Sequence, residues 1–123
     1  MNETLFKTTL AALLAAIAAY SKVIAVPILA LILFMAADYI TGMASAYLKG
    51  ELSSKVGVRG ILKKLYDMFA VAAGIGSDYI CSSALDGVGL PKNICFFGLL
   101  VAIWLILNEI LSILENLDKI GVP

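Results

Sequence analysis

The stretch DYITGMASAYLKGELSSKVGVRGILKK, residues 38–64, is where the chain passes from hydrocarbon to water. It holds five of the nine Lys and Arg residues: Lys49, Lys55, Arg59, Lys63 and Lys64. Basic residues in short loops are retained on the cytoplasmic side of a membrane, so this cluster fixes the direction in which the chain faces. Gly50 stops the apolar run that precedes it, and residues 51–58 read as a loop or interfacial segment. From Val58 the pattern turns amphipathic. Val58, Ile61, Leu62, Leu65 and Phe69 share one face, with Arg59, Lys63 and Lys64 expected to turn away towards anionic headgroups.

The rest of the chain leaves little choice of class. Of 123 residues, 62% are apolar and 15% charged, and the mean hydropathy is +1.00. That is too little polar surface for a water-soluble fold. A helix needs roughly 20 apolar residues to cross a bilayer, so the length allows three or four spans in one membrane domain, residues 1–123. A formal net charge of zero argues against nucleic acid, whose phosphates demand an excess of cations. There is no His, and Cys81 and Cys95 lack ligand spacing, so neither a metal nor a cofactor is expected. Two buried thiols are the expected state of the cysteines, although a disulfide between the outer ends of their spans is geometrically open to them.

Outward from the opening stretch, the expected fold is all-α and polytopic with four helices. Three are full spans, residues 23–48, 65–85 and 94–114, and one is a short Ala-rich span, residues 5–20. The first run has the shape of a signal peptide, with Ala16-Ile17-Ala18 as a cleavage sequence, but another apolar stretch follows at once and favours a span. Ala11, Ala15 and Ala19 recur as a small-residue ridge for helix packing. Ser21 and Lys22 would form a tight turn, and Pro27 would sit in the first turn of the next helix. The basic segment 49–64 joins the second span to the third, and DGVGLPKN, residues 86–93, is a turn by composition. With four spans and a cytoplasmic basic segment, seven basic residues lie inside, and only Lys22 and Lys92 outside. If residues 5–20 fail to span, the amino terminus moves outside and the other spans keep their orientation.

Ionisable residues within a span cost roughly 2.5 to 3.5 kcal/mol each on insertion scales, and each needs a partner or a purpose. Asp38 and Glu109 are expected in the cytoplasmic half and Asp78 in the outer half. At helical spacing, Asp38, Gly42, Ser45 and Lys49 share a face of the second span. Asn108, Ser112 and Glu115 share one of the last, with Glu109 beside them. These residues are the candidate polar seam, through which helices of one chain or of neighbouring copies would meet. In the blander alternative, Asp38 and Glu109 snorkel or pair with Arg59 or Lys63 and only hold the bundle together. Asp67 is expected at the interface, and Trp104, near the middle of its span, is expected to pack.

Three segments in order resemble the phage lysis and toxin-secretion holins, small membrane proteins of bacteria and phages. They are Asp38-Tyr39-Ile40-Thr41-Gly42; the run Gly50-Glu51-Leu52-Ser53-Ser54-Lys55 continuing through Gly57 and Gly60 to Lys63-Lys64; and Asn108-Glu109-Ile110-Leu111-Ser112-Ile113-Leu114-Glu115-Asn116. With the span pattern, the resemblance covers nearly the whole chain. It departs at Gly121-Val122-Pro123, where such holins usually continue into a basic tail, and any regulatory role of that tail is in doubt here. The resemblance implies a non-enzymatic homo-oligomer of the bacterial cytoplasmic membrane. Such a protein forms lesions that release an endolysin or a toxin, its functional partner, without necessarily touching it. Two other readings fit the residues: a small proton-coupled transporter of the multidrug type, and a membrane scaffold or antiholin that assembles without opening.

Overall fold

The computed structural model describes residues 2–121 and is all-helical, with 89% helix and no strand among those residues. Three helices, α1 (Glu3–Leu48), α2 (Ser54–Gly87) and α3 (Phe97–Ile120), are joined by short links, the second containing a 3-10 turn at Lys92–Ile94. All three are long and apolar enough to cross a membrane.

The first two expected spans are one helix. α1 runs for 46 residues without a turn at Ser21-Lys22 and carries Pro27 in its interior. Neither Ser nor Lys breaks a helix, and in an apolar medium the backbone keeps its internal hydrogen bonds unless another partner is at hand. Pro27 removes one such bond without ending the helix. At 1.5 Å per residue α1 is about 69 Å long, more than twice the roughly 30 Å of hydrocarbon in a bilayer.

Each boundary has a local cause. Asn2 caps α1 by accepting from the Leu5 N–H at 2.7 Å, and Ser53 caps α2 by accepting from the Val56 N–H at 3.2 Å. Gly50, at φ 70°, and Gly121, at φ 93°, take the left-handed conformation past the ends of α1 and α3. α3 begins without a side-chain cap from its own sequence, since Phe96 offers none.

The helices pack through stripes of seven-residue period. On α2 the residues turned inward are Gly57, Gly60, Lys64, Asp67, Val71, Gly74, Asp78 and Cys81, all buried or half-buried. On α3 they are Gly98, Ala102, Leu105, Glu109, Ser112 and Asn116, while α1 contributes Ile24, Leu31, Asp38 and Ser45. Alternating steps of three and four residues are the pattern of helices wound around one another with a left-handed supercoil. Most large apolar side chains lie outside the bundle; Trp104, expected to pack, is 65% exposed. The interior apolar core is small: Leu31, Met35, Val71 and Leu105, with Ile28, Met68, Ile75, Val101 and Ile106 around them.

Candidate functional site

The sequence places ionisable groups on the inward stripes at two levels, and the apolar core separates them. At the inner level Asp38 of α1, Lys64 of α2 and Glu109 of α3 converge. The Lys64 ammonium pairs with the Asp38 carboxylate and lies 2.9 Å from Glu109 Oε2. Asp38 and Glu109 are 7% and 4% exposed, so the two acids and their shared cation are removed from lipid and water alike. Asn116 completes the group. Its Nδ2 donates to the Asp38 carbonyl at 3.1 Å, to Asp38 Oδ1 at 3.0 Å and to the Thr41 hydroxyl at 3.0 Å. Ser112 lies half-buried on the same stripe, between Glu109 and Asn116. Gly42 faces Asn116, and a Cβ added there would meet its Nδ2 at an ordinary contact distance of 3.5 Å.

Directly after Asp38, Tyr39 seats its ring against α2. A Cβ on Gly60 would lie 3.2 Å from that ring, and one on Gly57 would lie 3.3 Å from the phenol oxygen. The two glycines therefore let α1 and α2 approach where the chain enters the basic segment.

At the outer level Asp78 is 2% exposed, with no cation paired to it among the described residues. Its partners are neutral donors. Oδ1 accepts from the Phe97 N–H at 2.5 Å, Oδ2 accepts from the Gly98 N–H at 3.0 Å, and the Tyr20 hydroxyl donates to Oδ2. Asp78 thus caps α3 from a neighbouring helix, where unsatisfied N–H groups and the helix dipole favour a carboxylate. The geometry depends on two glycines, since a Cβ on Gly74 would stand 2.9 Å from the Gly98 Cα. Three residues beyond Asp78, Cys81 forms a disulfide with Cys95. Free thiols were the expectation, and the disulfide replaces it: the link from α2 to α3 doubles back so tightly that both residues meet. A cleft of about 430 Å³ between α1 and α2 opens beside this junction, lined by Leu13, Tyr20, Ile24, Ile75, Asp78 and Tyr79 among others.

The candidate residues fall into two groups. Asp38, Gly42, Ser45, Asp78, Glu109 and Ser112 lie on the inward stripes, buried or half-buried. Asn108 and Glu115 are exposed on α3, one position short of the stripe through Glu109 and Asn116. Lys49, Lys55, Arg59 and Lys63 are exposed around the α1–α2 link. Lys64 departs from the expected amphipathic pattern: its side chain is 14% exposed and faces the acids, not the headgroups. Its place seven residues from both Gly57 and Val71 is the signal that assigns it inward, a signal that an average over one helical face hides. Asn116 and Tyr20 belong to the junctions and are missed by spacing alone. Among the described residues no group of His, Cys, Asp or Glu has the arrangement of a metal site.

Comparison with known proteins finds several relatives. An uncharacterized 14.9 kDa protein of Clostridium perfringens is 33% identical over 98 residues, which is 80% of this chain and 67% of that protein. An uncharacterized protein of Listeria monocytogenes is 40% identical over 92 residues, 74% of this chain and 58% of its own length. One from Halalkalibacterium halodurans is 29% identical over 121 residues, 98% of this chain and 86% of its own length. A second clostridial relative is spanned to about two thirds of its length, 65%. No solved structure matches. Residues 10–123 match the bacteriophage holin family, which is not a family of enzymes, and the chain belongs to it.

Proposed function

We propose that this holin-family chain accumulates in the bacterial cytoplasmic membrane and assembles with copies of itself into lesions. An endolysin, or a secreted toxin, would then cross the membrane without having to bind the chain. The observation that carries this reading is the inverted layout of the bundle. Ionic and amide groups line the inner seam, while large apolar side chains face outward. In one chain Asp38, Lys64, Glu109 and Asn116 satisfy one another. Once helices of neighbouring copies separate that seam, the same groups can be satisfied by water, so an assembly can line a hole with residues that a single chain keeps closed.

In this reading the basic segment 49–64 faces the cytoplasm. Lys49, Lys55, Arg59 and Lys63, all exposed, are placed to bind anionic headgroups. With three crossings, six of the nine basic residues then lie inside. The Cys81–Cys95 bond sits at the opposite end of α2, and disulfides persist outside the reducing cytoplasm. Charge and sulfur chemistry therefore support one orientation independently.

The test is timed expression in bacteria with and without a co-expressed endolysin. Loss of membrane potential at a defined time, followed by lysis only when the endolysin is present, is the expected result. Full-length chain accumulating in the membrane with neither effect would refute a lesion former and leave the scaffold or antiholin reading. The transporter reading requires a carboxylate free to exchange its partner, whereas both inner acids are held by Lys64. Drug resistance conferred by the chain and lost in Glu109→Gln would restore it.

A further inference from the structure

We propose that the Cys81–Cys95 bond is made outside the cytoplasm by exchange with a disulfide-bearing oxidant, and that making it latches α3 onto Asp78. The chain then has a reduced, unlatched form and an oxidised, latched form. The inference rests on the membrane orientation proposed above.

Three observations converge on it. First, both cysteines belong to the end of the bundle remote from the basic segment. Cys81 is 17 residues from Lys64 along α2, about 25 Å at the helical rise. Second, the bond ties together the elements that carry the acceptor and its donors. Asp78 is three residues before Cys81, while Phe97 and Gly98, whose N–H groups it accepts, are two and three residues after Cys95. Third, little else fixes the link between them. Residues 88–96 are held by short-range backbone hydrogen bonds, a left-handed Gly89 and an exposed Lys92–Asp86 pair at 3.2 Å. Phe96 supplies no cap, so α3 depends on Asp78 for its first N–H groups. With the bond broken, the start of α3 is free to leave Asp78, and a buried carboxylate loses the donors that make its burial tolerable.

The chemistry is thiol–disulfide exchange. One cysteine, as its thiolate, attacks a sulfur of the oxidant's disulfide, forming a mixed disulfide and releasing one oxidant thiolate. The second cysteine's thiolate attacks the first cysteine's sulfur, closing the 81–95 bond and releasing the other oxidant thiolate. The chain gives up two protons and two electrons, and the oxidant leaves as a dithiol. Cys95 is only 7% exposed in the closed form and Cys81 half-buried, so a reductant has restricted access to the bond while the junction is closed. Oxidation therefore acts as a step of maturation that follows export of the α2–α3 link.

Two measurements on the full chain test the two halves of the proposal. The first traps thiols in intact cells with a polymer-linked maleimide. In a normal host the chains should resist the reagent until reduced, then gain two labels. In a host lacking its envelope thiol oxidase the free-thiol fraction should rise at least about fivefold and fall again when oxidised glutathione is added. Free thiols in both hosts, or a smaller rise, would overturn the proposal. The second compares hydrogen exchange of the oxidised and chemically reduced chain in detergent micelles. Reduction should speed exchange at the Phe97 and Gly98 amides about tenfold and leave the amides of residues 31–35 unchanged. Equal rates at Phe97 and Gly98 would make the bond a passive tie and remove the latch. Neither measurement reads lysis. A chain that passes both but leaves the membrane potential intact refutes lesion formation alone, and one that permeabilises cells with its thiols free in both hosts refutes this inference alone.

Discussion

The outer and inner junctions solve one problem, an acid within a membrane-spanning helix, by opposite means. At the outer level a single carboxylate accepts from two backbone N–H groups and a phenol, and a covalent bond one turn away holds the donors in place. At the inner level two carboxylates share one ammonium, with an amide and hydroxyls around them and no covalent tie. The difference teaches where the bundle can come apart. Backbone donors belong to the fold of α3 and cannot be exchanged for another copy's. Side-chain partners on three separate helices can be.

The comparison is broken most severely at Lys64. Lys64→Met would leave Asp38 and Glu109 facing each other without a cation, and removing one partner of a buried charge group costs about 3 to 5 kcal/mol. The level of chain in the membrane fraction and its thermal midpoint in detergent should both fall sharply. Adding Asp38→Asn and Glu109→Gln should restore them, because the triple variant has no charge left to pair; a triple variant as unstable as Lys64→Met would show that packing, not charge, was lost.

Gly74→Ala addresses the outer junction. The new methyl would meet Gly98 backbone at 2.9 Å, so α2 and α3 must move apart at an overpacking cost of about 1 to 3 kcal/mol. The expected signature is faster hydrogen exchange at Phe97 and Gly98 with the inner junction unaffected. A milder change is Tyr20→Phe, which removes one of three donors to Asp78 and should cost about 1 kcal/mol, read as a small drop in thermal midpoint. Least of all is expected from Asn108→Leu or Glu115→Gln. Both positions are exposed, and neither variant should shift the midpoint measurably, whereas Asn116→Leu, on the stripe, should.

That last contrast also marks how far the sequence could be read. Membrane class and helical content followed from hydropathy, and the need of Asp38, Asp78 and Glu109 for a partner or a purpose from the cost of charge in lipid, which left open whether Asp38 and Glu109 form a seam or snorkel. The family resemblance rested on short motifs around Asp38, Gly50 and Asn108. What the residues did not disclose was the phase. Asn108, Ser112 and Glu115 form a stripe at helical spacing just as Leu105, Glu109, Ser112 and Asn116 do, and spacing alone does not say which of two neighbouring stripes turns inward. The continuity of α1 was hidden for a different reason. Ser21-Lys22 interrupts the hydropathy without interrupting the backbone, and hydropathy alone cannot tell a polar turn from a polar position on a helix. The disulfide depends on how residues 88–96 fold back, which spacing does not specify.

The inner junction has one further property, which lies in its arithmetic. With both carboxylates ionised, two of them and one ammonium leave one formal negative charge per chain. That charge is spent locally on Asn116 and hydroxyl dipoles, but it does not vanish when chains gather. An assembly of identical copies carries as many uncompensated charges as it has members, all at one depth. Held in a low-dielectric wall around water, such a belt concentrates small cations and repels anions. An opening formed by this chain would begin as a cation-preferring conductance, and a diameter large against the ionic atmosphere, about 8 Å at physiological salt, would be needed before that preference faded and a folded protein could pass.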